Sequence, residues 1–134
     1  MVKWILTAVL CISSASSAGA ITSEHTTVCA LASDPEKFEG RVVTIDAVVA
    51  VGYHFTLLMD DNCPNVGIGL QFSEPAATRR DLIQLREAVE GVWPGRDNDR
   101  AAAGTFTGRF FTYFDDVSFR ALDVLAVSNL KRLP

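Results

Sequence analysis

From Arg41 to Val51 the chain reads RVVTIDAVVAV, and its odd positions, Val43, Ile45, Ala47, Val49 and Val51, are all apolar, with Thr44 and Asp46 between them. Successive side chains on a strand point to opposite faces, so this period of two predicts a strand with one face committed to a core. Gly52 interrupts the run. YHFTLLM then continues in the same phase, which assigns Tyr53, Phe55, Leu57 and Met59 to the core and His54 and Thr56 to the outside. Asp60 to Asn65 is rich in turn-forming residues, and a third strand follows with Ile68, Leu70 and Phe72 opposed to Gly69 and Gln71.

The period changes at Thr78. Leu82, Leu85 and Val89 recur at helical spacing, while Arg79, Arg86, Glu87 and Glu90 fall largely elsewhere, and Thr78 and Asp81 stand at capping-box spacing. This predicts an amphipathic helix of about three turns. A loop, GVWPGRDNDRAAAG, leads back into two strands, TFTGRFFTYF and RALDVLAVSNL, with Asp115-Asp116 marking the turn between them. Ahead of the first strand, VCALASDPEKFEG reads as a short helix stopped at Asp34-Pro35 and closed by Gly40. A short N-terminal helix, three strands, a helix and two strands suit a mainly β fold. The expected architecture is a five-stranded Greek-key barrel of the OB type, whose helix lies between strands 3 and 4. The first strand is long and carries Gly52, as a strand bending around such a barrel would. A different α+β domain is the alternative.

The first residues change where this fold is expected to work. MVKWILTAVLCISSASSAGA has one charge, Lys3, then an apolar run from Trp4 to Ile12 and a small-residue stretch ending Ala18-Gly19-Ala20. That is the pattern of a secretory signal peptide, and the run is shorter than the roughly 20 residues a bilayer span needs. Cleavage after Ala20 is expected, leaving a flexible lead over 21–27 and a single domain over 28–134. It removes Lys3 from the 12 basic side chains that face 16 acidic ones, taking the net charge from −4 to −5. It also removes Cys11 and leaves Cys29 and Cys63, which in an oxidising compartment are expected to form a disulfide. The protein is thus expected to be secreted or periplasmic, with no transmembrane segment after cleavage.

Cys29, the Asp34-Pro35-Glu36-Lys37-Phe38-x-Gly40 turn before a Val/Ile-rich strand, Gly52-Tyr53 with Phe55, and Asp60-x-x-Cys63-Pro64 form a further pattern. Over Val28 to Phe72 the chain resembles a family of small exported bacterial OB-fold-like proteins to which no activity is firmly attached. The resemblance implies a fold and an export route. It transfers no catalytic residue.

OB folds usually take ligands across the face of strands 2 and 3. By the alternation above, that outward face carries Asp46, His54, Thr56, Gln71 and, from strand 4, Arg109. His54 beside Asp46 would be an oriented imidazole, suited to proton transfer or anion binding; a solvated histidine on a polar face is the simpler reading. The chain has no G-x-S-x-G, no H-E-x-x-H and no glycine-rich phosphate loop. His25 and His54 lack zinc-like spacing to the cysteines, and Asp97-Asn98-Asp99 lacks the glycine and distal glutamate of a calcium loop. No catalytic residue, metal or cofactor is therefore expected. Single-stranded nucleic acid needs a positively charged groove, which an acidic chain with scattered arginines opposes unless Arg79, Arg80 and Arg109 cluster. Trp93 before Pro94-Gly95 reads as a loop plug, or as a platform for carbohydrate. Together these point to a non-enzymatic binding or interaction module of the bacterial envelope, holding a small ligand, a glycan or an envelope protein. An oligosaccharide- or nucleic-acid-binding OB domain and a metal-assisted hydrolase on the same scaffold are the alternatives.

Overall fold

The computed structural model of the protein describes residues 22–52, 55–72, 79–90, 99–114 and 118–134. Its elements in chain order are β1 (Glu24–His25), α1 (Val28–Ser33), α2 (Pro35–Phe38), β2 (Val42–Val51), β3 (Thr56–Met59), β4 (Gly67–Phe72), α3 (Arg80–Glu90), β5 (Asp99–Phe114) and β6 (Ser118–Arg132). β2 pairs antiparallel with β3, and β3 with β4. β4 runs parallel to β6, which pairs antiparallel with β5, and β5 returns antiparallel to β2. The chain is mainly β, a closed five-stranded barrel with few helices, consistent with an OB-like barrel.

The alternation on β2 builds the core as its spacing predicts. Val43, Ile45 and Val49 meet Leu58, Ile68, Phe106, Phe110, Leu122 and Val124 from the other strands, all at most 1% exposed. Val28 and Leu31 of α1 and Leu82 and Leu85 of α3 join the same cluster. Each such side chain contributes about 1.5–3 kcal/mol by leaving water. Gly108 sits between Phe106 and Phe110, at a register shift of the β5–β6 ladder. A Cβ there would lie 2.4 Å from the Asp123 carbonyl oxygen and 2.8 Å from Leu122 Cγ, so only glycine lets β6 close this tightly.

The α1–α2 corner is held by polar groups. Thr27 Oγ1 accepts a hydrogen bond from the Ala30 N–H at 3.0 Å, capping α1, and Pro35 opens α2, where a missing N–H costs nothing. Gly40 turns the chain into β2 at φ +73°, the left-handed region glycine enters freely. Cys29 and Cys63 are bonded at 2.09 Å across a sequence separation of 34, joining α1 to the β3–β4 turn. On the chain-entropy estimate that loop is worth about 3–4 kcal/mol.

Four expectations change. First, β3 does not continue the phase of β2: Leu58 is fully buried while Phe55 is 46% exposed. The cause is a hairpin, closed by Gly52 N–H donating to Phe55 O at 2.8 Å, which restarts the alternation on the returning strand. Thr56 therefore shares the face of Leu58 rather than pointing outward with Asp46. Second, part of the N-terminal lead is ordered as β1, running parallel to β2 at Glu24–Val43 and His25–Thr44. Third, β5 begins at Asp99, inside the stretch read as loop, because it pairs with β2 as far as Val51. Fourth, α3 starts at Arg80 and buries Ala88 beside Leu82 and Leu85, with Asp81 accepting from the Val127 N–H at 2.9 Å. His54, Trp93, Asp97-Asn98 and Asp115-Asp116 lie outside the described residues. No helix among the described residues is long and apolar enough to cross a membrane.

Candidate functional site

β2 has two edges, and they are occupied differently. On one, the ladder to β5 runs from Val42–Arg109 to Val51–Asp99, with a single register shift at Val49/Ala50. The other edge is shared. β1 pairs with it at Glu24–Val43 and His25–Thr44 and no further, and β3 only from Val48–Met59 onward. The Thr26 N–H donates to Thr44 O at 3.0 Å, so the main-chain groups of Thr44 face this shared edge. Main-chain direction alternates along a strand, so the N–H and C=O of Asp46 face the same way. Neither ladder reaches them. The last paired residues on either side, Thr44 and Val48, are four residue steps apart, about 13 Å, and Asp46 is the residue between them whose main chain faces this edge.

A cleft of about 510 Å³ lies over this opening. Thr26 and Thr27 form one wall, where the lead turns into α1. Met59, Asp60, Asp61 and Asn62 form the other, and Asp46, Ala47, Val48, Ala103 and Gly104 make the floor. The two walls are tied together by the Cys29–Cys63 disulfide, since Cys29 follows Thr27 by two residues and Cys63 follows Asn62 directly. The Asp60–Asn62 wall is further shaped by an Asx turn, in which Asp60 Oδ1 accepts from the Asn62 N–H at 2.9 Å.

Three carboxylates line the cleft. Asp46 is exposed, and its Oδ1 accepts a hydrogen bond from Thr105 Oγ1 at 2.6 Å. Asp61 is bridged by Arg100 at 2.5 Å, which offsets part of its charge. Among the described residues the lining is therefore acidic, with one arginine, Arg100, paired to it. Next to it, Thr44 Oγ1 stands 2.6 Å from Ser23 Oγ and 2.7 Å from Thr107 Oγ1, a hydroxyl chain that continues the polar outer face of β2 and β5. Among the described residues no group of three or more His, Cys, Asp or Glu side chains is placed to hold a metal ion.

Of the described residues singled out from the sequence as ligand-binding, Asp46 alone lines the cleft; His54 lies outside the described residues. Thr56 is opposite Val51, five steps along β2, about 16 Å away. Arg109 is opposite Val42, four steps the other way, and its guanidinium donates to Gly40 O at 2.6 Å, tying the entry to β2 onto β5. Gln71 is in register with Asp123, and Asp123 with Arg109, so these three form a row across β4, β6 and β5. The row brings Gln71 and Arg109 onto one part of the surface, apart from Asp46. Asp123 was missed although the RALDVLAV alternation carries it. Thr26, Thr27 and Asn62 were missed because lead and turn residues carry no periodic signal; Asp60 and Asp61 were read as turn chemistry.

Comparison of the chain with protein-family models, with curated proteins and with solved structures finds no match.

Proposed function

We propose that the chain is an exported, non-enzymatic binding module of the bacterial envelope, built on an OB-type Greek-key barrel, and that its ligand enters the cleft over Asp46. Support for the OB assignment is the strand order, with β4 parallel to β6 and with α3 between β4 and β5 in the chain. Support for export is the signal-like opening and a cysteine pair at bonding distance. The same features favour membership of the small exported OB-fold-like family that Val28 to Phe72 resembles.

The observation that carries the binding reading is the gap in strand pairing at Asp46, roofed by a 510 Å³ cleft whose walls a disulfide holds together. Concave sites with polar groups converging on them are where ligands usually bind, and this one brings Asp46, Asp60, Asp61 and Asn62 around one opening. Its carboxylates repel phosphate, which argues against nucleic acid there. A second reading keeps the ligand on the Gln71–Asp123–Arg109 row, which presents polar groups of mixed charge on the side of the barrel formed by strands β4, β6 and β5.

An amide chemical-shift titration of oxidised protein with pooled cell-wall fragments, short oligonucleotides and divalent metals separates these. Shifts centred on Asp46, Asn62 and Gly104 are expected from one pool. Shifts centred on Gln71, Asp123 and Arg109 would move the ligand to the second site. A response to oligonucleotides alone would replace the reading with nucleic-acid binding.

A further inference from the structure

We infer that the cleft captures the amino terminus of an extended peptide. This rests on the reading of the cleft as the ligand site and names the class of ligand it takes.

The open edge sets the shape of the occupant. Asp46 offers one N–H and one C=O toward the gap, and an extended peptide satisfies such a pair by placing one residue opposite it, with its own C=O and N–H. A strand cannot run through, because Thr26 and Thr27 close one end and the Met59–Asn62 segment the other. The gap between the paired residues Thr44 and Val48, about 13 Å, has room for only the first few residues of a chain that ends inside the cleft. A chain end, not a chain middle, fits.

Charge then decides which end. Among the described residues the cleft carries the carboxylates of Asp46, Asp60 and Asp61 against one guanidinium, that of Arg100, which is already paired with Asp61. A carboxy terminus would meet net repulsion, and an α-ammonium meets attraction. With the first residue's ammonium among the carboxylates, the second residue is the one that lies opposite Asp46, its N–H donating to Asp46 O and its C=O accepting from Asp46 N–H. The carboxylates alone would hold any cation; the open edge is what adds a requirement for peptide. The Cys29–Cys63 bond keeps both walls at fixed separation, so little ordering is needed on binding.

The test compares three probes by amide chemical-shift titration of the oxidised protein: trialanine amide, Nα-acetyl-trialanine amide and Nα-acetyl-lysine amide. Trialanine amide is expected to shift Asp46, Ala47, Asn62 and Gly104, with affinity falling at least tenfold on acetylation and at least tenfold for acetyl-lysine amide. Asp46→Asn, which keeps an acceptor for the Thr105 hydroxyl, is expected to weaken trialanine amide about tenfold with the rest of the spectrum unchanged. Equal binding of the acetylated peptide overturns the amino-terminus assignment and leaves the cleft as a peptide site. Equal binding of acetyl-lysine amide overturns it in favour of any ammonium group. No shift at the cleft from any of the three, at millimolar concentration, overturns the inference. The pooled titration then tells whether the cleft reading falls with it, since a cleft response to another pool preserves the site.

Discussion

The two edges of β2 carry the same strand and do opposite things. Toward β5 every residue from Val42 to Val51 faces a partner, broken only by one register shift. Toward the other side two short strands, β1 and β3, divide the edge and stop short of each other. The sealed edge closes the barrel and orients Val43, Ile45 and Val49 onto Phe106 and Phe110. The unsealed one leaves backbone groups in a cavity. A closed barrel has no free strand edge to recruit another chain, so a gap of this kind is the place where main-chain recognition survives closure.

The comparison breaks first at the sealed side. Phe106 is fully buried on β5 opposite Ile45, and Phe106→Ala removes a ring from a close-packed core. A loss of about 3–5 kcal/mol is expected, a large share of the 5–15 kcal/mol typical of a domain. Urea unfolding followed by circular dichroism measures it as a lowered midpoint at unchanged slope. A cost below about 1 kcal/mol would mean that the β2–β5 seam is not where the barrel's stability resides.

The sealed side was also the legible one. Val43 to Val49 announce themselves by alternation, and Leu82 and Leu85 by helical spacing, because both signals are local. The failures are non-local. Leu58 and Phe55 exchanged roles because a hairpin at Gly52 resets strand phase, and no pattern within YHFTLLM records that. Asp99 to Gly104 looked like loop, since alanine and glycine are poor strand formers, yet register with β2 makes them strand. The cleft was unreadable for a stronger reason. It is defined by where β1 and β3 end against a third strand, and Thr26, Asp46 and Asn62 meet only through that arrangement.

The disulfide sharpens the comparison at the unsealed side. Removing it as Cys29→Ser/Cys63→Ser is expected to cost about 2–4 kcal/mol, somewhat less than the phenylalanine. The distribution of the effect matters more than its sum. Hydrogen exchange is expected to speed most at Ala30, Asn62 and Cys63→Ser itself, whose N–H groups belong to the tethered walls. Amides of β5 facing β2 should follow only the global loss, as core strands do. Equal acceleration in both places would show the bridge acting on the whole fold and the two edges behaving as one unit.

The smallest expected effect on stability gives the finest discrimination. Arg100 and Asp61 are 56% and 69% exposed, so their ion pair is worth at most about 1 kcal/mol, and Arg100→Ala should leave the unfolding midpoint nearly unmoved. Its effect on binding has a definite sign. Arg100 offsets one carboxylate on the cleft wall, and its loss leaves Asp61 uncompensated. One unit charge acting at about 7 Å through water changes binding by about 0.6 kcal/mol, so trialanine amide should bind on the order of threefold more tightly. The gain should fade in 1 M salt, where the screening length falls to about 3 Å. Weaker binding instead would mean that Arg100 serves the cleft by holding the Asp60–Asn62 wall in place, and that the geometry of the gap outweighs its charge.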